Sequence, residues 1–278
     1  MKIYIMTDME CVAGVVSLPE YCLASPVNKY NRPEGGRYYD HARELATLEV
    51  NAVIGGLLEG GATEILVCDG HGHGGLDAAL IHPRAKILTG KGQTQPRGLD
   101  DSFDAAVMIG QHAMANTDGG HLCHSGSFSR NLWQLNGQTI GEIGLFMVLT
   151  SHFNVPMVMI SGDVAACQEA QSLVPSIETV AVIEGQKLGS TEGWTTRRAM
   201  DLNVPAVHVS PQTSRQMIHQ AASKCLSRIE TVERFSVEPS YEMQRVTRPD
   251  NDQPAQVAVN HSDDYVDLLG QKSEYEPI

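Results

Sequence analysis

The stretch KIYIMTDME, from Lys2 to Glu10, decides the fold of this sequence. Its first six residues alternate apolar and polar side chains, which favours a β-strand, and the strand ends directly at two carboxylates, Asp8 and Glu10. Two residues apart on extended backbone, these side chains point to the same side, where they can share one metal ion or bridge two. Two acids after a strand also occur as a helix cap or a solvated turn, so the pair alone leaves both interpretations open.

The same arrangement recurs at two later strands. The apolar run 64–68 leads into Asp69-Gly70-His71, and the run 105–109 leads into Gly110-Gln111-His112. Ligands of open α/β sheets bind beyond the carboxyl ends of the strands, where several loops converge, so we expect these motifs at one edge of one sheet. The glycines beside His71 let its imidazole approach a ligand closely. A flexible exposed loop at that position, and a satisfied core histidine at 112, are the structural alternatives.

Five further residues are candidates for this site. Asp69 is either a further ligand or an acceptor that orients an imidazole N–H, and His73 is a weaker candidate. His121 and His124 lie in a polar, glycine-containing loop that suits the lining of a site, and only one of them need be functional. Without other information, Glu142 fits better as an acid at a helix N-terminus, where it interacts favourably with the helix dipole.

This donor set indicates a metal and its chemistry. Two or three carboxylates with two or more imidazoles suit Zn²⁺, Mn²⁺ or Co²⁺ better than Ca²⁺ or Mg²⁺, and zinc is the first choice. Such an ion lowers the pKa of water toward about 7 and polarises a carbonyl oxygen. The sequence has no P-loop, no nucleotide-binding glycine motif after the first strand and no serine-hydrolase elbow. Metal-dependent hydrolysis is therefore the predicted chemistry.

Strand and helix patterns alternate along the chain and predict the fold class. We expect strands at 2–7, 64–68, 105–109, 155–160 and about 180–183, and helices at 39–59, 142–153, 164–173 and 210–227. Asn136-Gly137 predicts a tight hairpin, because both residues tolerate a positive φ. The proline- and glycine-rich stretch 17–36 is expected to be a long functional loop. The pattern is typical of an α/β protein with a mostly parallel sheet and helices on both faces, in three layers.

The polar residues beyond Val232 show no strong period. We expect residues 1–230 to form an α/β metallohydrolase domain. Residues 231–278 are expected to form a small C-terminal appendage, an arm onto a neighbouring subunit or a partly disordered segment, with membership of the same domain as a further alternative.

Composition excludes several classes of partner. No apolar run approaches the roughly 18 residues that span a bilayer, and the net charge of -13 repels phosphate backbones, so neither a membrane nor nucleic acid is expected. The start of the chain lacks a secretory-signal pattern, which favours the cytoplasm. Six scattered cysteines without a C-x-x-C pair disfavour a disulfide scaffold and a cysteine-based zinc site.

The motifs of residues 1 to 185 resemble those of the D-aminopeptidase family, the zinc peptidases classed as M55. The resemblance rests on Thr7-Asp8-Met9-Glu10, Val67-Cys68-Asp69-Gly70-His71, Ile81-His82-Pro83, Gly98-Leu99-Asp100-Asp101-Ser102-Phe103, Ile109-Gly110-Gln111-His112-Ala113, His124-Ser125 and Gly141-Glu142-Ile143-Gly144. It implies that Asp8 bridges two zinc ions and that Glu10 binds one of them. His71, His112 and Glu142 match the remaining ligands, and His124 matches the family's catalytic histidine better than His121 does.

The resemblance also implies an activity and an assembly. A zinc-dependent aminopeptidase is expected, which hydrolyses the N-terminal residue of short peptides, with D-amino-acid peptides among the options, through a metal-activated water and His124. We expect two Zn²⁺ per chain, with Mn²⁺ or Co²⁺ as substitutes, in a homo-oligomer, a decamer by resemblance. Four parts of the sequence depart from the family pattern: the loop at 72–75, the loop around His121, the enlarged N-terminal loop and the C-terminal third. The resemblance therefore supports metal binding by this chain better than it supports a particular substrate. A metal-dependent amidase or other hydrolase acting on a non-peptide substrate, and a metal-binding oligomer without turnover, are the alternatives.

Overall fold

Strands and helices alternate through most of the chain, which the computed structural model describes at residues 1–23, 36–72, 74–90, 95–202, 204–250 and 253–278. In chain order the strands are β1 (Lys2–Thr7), β2 (Glu64–Asp69), β3 (Ala85–Leu88), β4 (Ala105–Gln111), β5 (Arg130–Leu135), β6 (Gln138–Thr139), β7 (Met157–Asp163), β8 (Glu178–Gly185), β9 (Ala206–His208), β10 (Tyr241–Thr247), β11 (Gln256–Ser262) and β12 (Glu276–Pro277). The α-helices are α1 (Tyr39–Glu59), α2 (Glu142–His152), α3 (Val164–Leu173), α4 (Thr196–Met200), α5 (Pro211–Cys225) and α6 (Tyr265–Gly270).

Seven strands form the main sheet, in the order β3-β2-β1-β4-β7-β8-β9. All neighbours are parallel except β8 and β9, which are antiparallel. The crossover through α1 runs toward the β3 edge, whereas those through α2 and α3 run toward the β9 edge. Because such crossovers are right-handed, α1 lies on one face and α2 and α3 lie on the other. The predicted fold class, a mostly parallel sheet with helices on both faces, is confirmed.

Helices α1 and α5 pack closely against each other on the first face. A Cβ added at Gly56 of α1 would lie 2.3 Å from the carbonyl oxygen of His219 and 2.8 Å from Cβ of Ala222. Both distances are shorter than any tolerable contact, so this approach requires glycine. The helical pattern of α1 was predictable from local sequence, but the contact that needs Gly56 joins residues far apart in the chain.

Strand β1 is a central strand, and helices cover both of its faces. Ile3, Tyr4 and Ile5 are fully buried, so the alternation of polar and apolar side chains does not correspond to a solvated face. Parallel strands between two helical layers are buried on both sides. The Tyr4 hydroxyl nevertheless has a partner, since it donates a hydrogen bond to the carbonyl oxygen of Arg97 at 2.8 Å.

A second, antiparallel sheet joins the middle of the chain to its C-terminal part, in the order β12-β11-β10-β5-β6. The predicted hairpin is confirmed, because β5 pairs with β6 through Asn136 and Gly137 at φ of 49° and 78°. Strand β10 pairs with β5 on its other side, and Leu135 and Met243 are both fully buried between these strands and the core. The C-terminal segment thus extends the hairpin's sheet, while the boundary at residue 230 stays a prediction.

Other parts of the chain differ from the sequence prediction or extend it. Leu18–Cys22 forms a π-helical turn inside the predicted loop 17–36, and residues 24–35 of that loop lie outside the described ranges. Strands β3 and β9 and helix α4 are short and carry little periodic signal, so the sequence did not predict them. Among the described residues, every helix is too short or too polar to span a bilayer.

Candidate metal centre

The carboxyl ends of three neighbouring strands position the candidate residues. Strand β1 lies between β2 and β4, and the register aligns Thr7, the last residue of β1, with Asp69 of β2 and Ile109 of β4. The side chains that follow these positions therefore emerge next to one another at one edge of the main sheet, as expected for ligand sites in parallel sheets.

Gly110 allows the loop after β1 to pack against the end of β4. Its φ is +74°, and a Cβ at this position would lie 2.4 Å from the carbonyl oxygen of Asp8. The Asp8 N–H donates to the carbonyl oxygen of Ile109 at 2.8 Å, and the Cys11 N–H donates to that of Gly110 at 3.0 Å. Glycine is needed here both for the backbone angle and for the close approach that brings Asp8 near His112.

A first donor cluster consists of Asp8, Glu10 and His71. Nδ1 of His71 lies 3.0 Å from Oδ1 of Asp8 and 3.1 Å from Oε2 of Glu10. Nε2 of the same ring lies 2.7 Å from the carbonyl oxygen of Cys22 and donates to it. The nitrogen that faces the two carboxylates is therefore Nδ1, and none of the three side chains is more than 11% exposed.

A second donor cluster consists of His112, His124 and Glu142. Oε1 of Glu142 lies 3.4 Å from Nε2 of His112 and 4.0 Å from Nε2 of His124. The Nδ1 atoms of the two imidazoles donate to main-chain carbonyl oxygens, at 2.8 Å for His112 and 2.9 Å for His124. As in the first cluster, one nitrogen of each ring binds the backbone and the other faces a carboxylate.

Asp8 faces both clusters. Its Oδ1 lies 3.0 Å from Nδ1 of His71, and its Oδ2 lies 3.4 Å from Nε2 of His112. A carboxylate with one oxygen toward each of two donor groups has the geometry of a bridging ligand.

The distances and the hydrogen bonds fit zinc. Two donors about 2.1 Å from one tetrahedral zinc lie about 3.4 Å apart, and the nitrogen–oxygen separations around Asp8 are 3.0 to 3.4 Å. Within the described ranges, Nε2 of His112 is buried without a hydrogen-bond partner, which is costly unless a cation or a proton satisfies it. Imidazoles held by backbone carbonyls, with the other nitrogen turned inward, are typical of metal ligands.

Burial and charge act in opposite directions on these imidazoles. Burial lowers the pKa of His71 and of His112, but the adjacent carboxylates outweigh it and hold both pKa values well above the usual range. A field that favours a proton on these rings equally favours a cation. For His124, burial and the neighbouring His112 lower the pKa, so this imidazole is neutral near pH 7 and can accept a proton.

Two rings hold the imidazole of His124 in place. It stacks on His112 with 3.8 Å between ring centroids, and on its other side Phe128 stacks at 4.5 Å. The loop is also tied to the second cluster, because the Gly126 N–H donates to Oε1 of Glu142 at 2.7 Å. The sequence analysis did not identify Phe128 as part of the site. Its signal in the sequence is its aromatic side chain, four residues after His124.

The structure separates the rival candidates from the two clusters. Asp69 accepts hydrogen bonds from the N–H groups of Gly75 and Leu76 at 2.7 and 3.3 Å and orders the loop after β2. Nε2 of His121 lies 2.9 Å from the carbonyl oxygen of Val15, in the buried interior. Neither side chain belongs to either donor cluster. His73 lies outside the described residues.

A cavity of about 760 Å³ opens onto the two clusters. Its polar wall includes Asp8, Glu10, His71, His124 and Glu142, and further apolar side chains line the space beyond them, among them Met6, Met108, Phe146 and Leu149. A concave site with convergent polar groups in an apolar wall is the usual form of a small-molecule site. The arrangement can therefore hold a small substrate against a metal.

Known proteins resemble this chain in sequence and in fold. The D-aminopeptidase of Bacillus subtilis (strain 168) is 34% identical over 185 residues, which cover 66% of this chain and 63% of that protein's length. The solved structure of the Zn-dependent D-aminopeptidase DppA from Bacillus subtilis, described as a self-compartmentalizing protease, superposes with a TM-score of 0.77 at 24% identity. That superposition covers 96% of this chain and 94% of the other, and it shows a shared fold. The sequence pattern of the M55 peptidases, described as D-aminopeptidase, matches residues 1–259, and the chain therefore belongs to this family.

Proposed function

We propose that this protein is a zinc-dependent aminopeptidase that removes the N-terminal residue of short peptides, with two zinc ions per chain and His124 as its catalytic group. The observation that carries the proposal is the position of Asp8, whose two carboxylate oxygens face two different imidazole–carboxylate clusters. Membership of the M55 family supports the same chemistry.

The ligands divide between two ions. Asp8, Glu10 and His71 would hold one zinc, and Asp8, His112 and Glu142 would hold the other. When bound, zinc activates a water molecule and polarises the scissile carbonyl. Mn²⁺ or Co²⁺ can substitute, because both accept the same oxygen and nitrogen donors.

His124 transfers a proton from the attacking water to the leaving nitrogen. Its Nδ1–H is held by a backbone carbonyl at 2.9 Å, so Nε2 is the free nitrogen on the side of Glu142. Nε2 accepts the proton that the attacking water loses and donates it to the leaving nitrogen as the C–N bond breaks. The lowered pKa of His124 favours the neutral imidazole that the first of these steps requires.

The relatives suggest the substrate and the assembly. Both bear the name D-aminopeptidase, and one is described as self-compartmentalizing. We propose that this chain also acts on peptides with a D-configured N-terminal residue, in a cytoplasmic homo-oligomer, a decamer, that encloses the sites. The acidic residues of the site attract the positively charged amino terminus of a peptide.

The test measures zinc per chain and the hydrolysis of a panel of D- and L-dipeptides and non-peptide amides. His124→Ala should keep both zinc ions and lose about 10²- to 10⁴-fold in kcat, the usual contribution of general acid–base catalysis. His121→Gln is the matched control, because it changes the rival histidine of the same loop and can retain the donor to Val15.

Three results would contradict the proposal in different ways. Two zinc ions with no amide hydrolysis would indicate a metal-binding oligomer. Hydrolysis restricted to non-peptide amides would indicate the alternative hydrolase. Equal losses in His124→Ala and His121→Gln would remove His124 from the mechanism.

A further inference from the structure

The site cavity extends beyond the metal ligands toward a polar pair, Gln95 and Arg97. Tyr4 connects the two regions, since it lies on β1 four residues before Asp8 and its hydroxyl donates to the carbonyl oxygen of Arg97 at 2.8 Å. Tyr4 itself packs on Phe146, a residue of the cavity's apolar wall, with 5.9 Å between the ring centroids. The cavity therefore has a carboxylate-rich metal centre, an apolar wall and a separate polar region.

Arg97 has no counter-charge among the described residues. Their arginine–carboxylate pairs are Arg43–Asp40, Arg197–Asp201 and Arg228–Glu178. Nε of Arg97 is buried without a hydrogen-bond partner in the described ranges, and so is Oε1 of Gln95. A buried donor on a charged group that lacks an acceptor is unfavourable, and an anion beside the guanidinium would offset the uncompensated charge.

The charge of the molecule makes this arginine unusual. The chain carries a net charge of -13, and the metal ligands that face the cavity are mostly carboxylates. A planar guanidinium can bind a carboxylate through two parallel hydrogen bonds. Arg245 also lines the cavity, but its Nη1 already donates to Asn260 and Ser273, at 2.9 and 3.3 Å. Among the described residues that line the cavity, Arg97 is therefore the cation that is available for a ligand.

We propose that Arg97 binds the C-terminal carboxylate of the substrate, so that the site selects short peptides with a free carboxyl end. This inference rests on the proposed peptidase function and adds the substrate class.

The test compares alanine peptides of two to five residues with their C-terminal amides, with D-Ala as the N-terminal residue, or L-Ala if the enzyme cleaves only that form. At the best-cleaved length, wild type should cleave the free acid at least tenfold better than the amide in kcat/KM. Arg97→Gln should remove this preference by raising KM for the acid about tenfold or more, while kcat/KM for the amide changes less than twofold. Arg97→Lys keeps the charge without the planar fork and should retain part of the preference. Arg84→Gln, an exposed arginine before β3, removes the same charge outside the cavity and should behave as wild type.

A second measurement separates this inference from the proposed function. Calorimetry on the zinc-free protein reports binding of the acid and of the amide without cleavage. If wild type with zinc cleaves neither peptide but zinc-free wild type prefers the acid and Arg97→Gln does not, the peptidase proposal fails and the role of Arg97 stands.

Other outcomes overturn the role of Arg97. An acid preference that persists in both Arg97 variants would do so, as would equal losses on acid and amide in a variant with wild-type circular dichroism and zinc content. Loss of the preference in Arg245→Gln but not in the Arg97 variants would assign the carboxylate to Arg245 instead. If Arg97→Gln does not fold, Arg97→Lys decides, and an unchanged preference in that variant counts against the inference.

Discussion

Replacing Asp8 by Asn should remove both zinc ions at once. Asn keeps the size of the side chain but loses its charge and one carboxylate oxygen. Each of the two proposed zinc sites has three protein ligands, and Asp8 would contribute to both through separate oxygens, which lie 3.0 and 3.4 Å from an imidazole nitrogen. Among the described imidazoles, Glu10 pairs with that of His71, and Glu142 pairs with those of His112 and His124.

The magnitude follows from counting donors. Asp8→Asn weakens one of three protein donors at both ions, whereas Glu10→Gln weakens one of three at a single ion. Removal of a group that merely supports a ligand costs about 10- to 100-fold in metal affinity, so loss of a ligand should cost at least about 100-fold, or about 2.7 kcal/mol at 25 °C. At a free zinc concentration near ten times the wild-type Kd, the zinc content should fall from about two per chain to nearly none in Asp8→Asn and to about one in Glu10→Gln.

The assay is elemental analysis of desalted protein equilibrated at that fixed free zinc concentration, with circular dichroism as the control for folding. Calorimetric titration of the same proteins gives the affinities directly. Retention of one tightly bound zinc by Asp8→Asn would refute the bridging role. A loss of both ions from Glu10→Gln would show that the two ions depend on each other and not on one shared carboxylate.

Two further predictions concern the scaffold. Burial raises the pKa of Glu49 from 4.5 to about 7, so the unfolded chain ionises first as pH rises, and stability falls by about 3 kcal/mol between pH 4.5 and 7. Glu49→Gln should remove that part of the pH dependence in urea denaturation of the zinc-free protein, and an identical pH slope in both proteins would contradict the prediction. Gly56→Ala should destabilise the α1–α5 contact by about 1 to 3 kcal/mol or more, because its Cβ has no space. Gly270→Ala, whose Cβ meets nothing within 4 Å, is the control, and equal melting temperatures for the two variants would refute the packing argument.

Secondary-structure elements that depend on local sequence patterns could be predicted from the sequence. The strand before Asp8, the helix ending near Gly60-Gly61 and the Asn136-Gly137 hairpin depend on residues that are neighbours in sequence, and the structure contains all three. Strand β10 was not predictable in this way. It exists because it pairs with β5, more than a hundred residues earlier, and its own side chains carry only a weak alternation.

The residues of the candidate site also divide into those with a local sequence signal and those without one. Asp8, Glu10, His71 and His112 were identified because each follows a strand, and parallel strands end at one edge of a sheet. Glu142 and His124 had equal or better local alternatives, and only the ordered family resemblance selected them. Their place in one cluster depends on the loop after β4 folding back, where the His124 ring stacks between His112 and Phe128.

The sequence by itself therefore determined the fold class, the residue types of the candidate metal site and the strand ends that carry them, because periodicity and local motifs encode these features. The tertiary structure alone decided that the two oxygens of Asp8 face different clusters, and that Arg97 lines the same cavity without a counter-charge among the described residues. Both facts are distances between groups far apart in the chain, and such distances arise only when the sheet, its helices and its loops pack together.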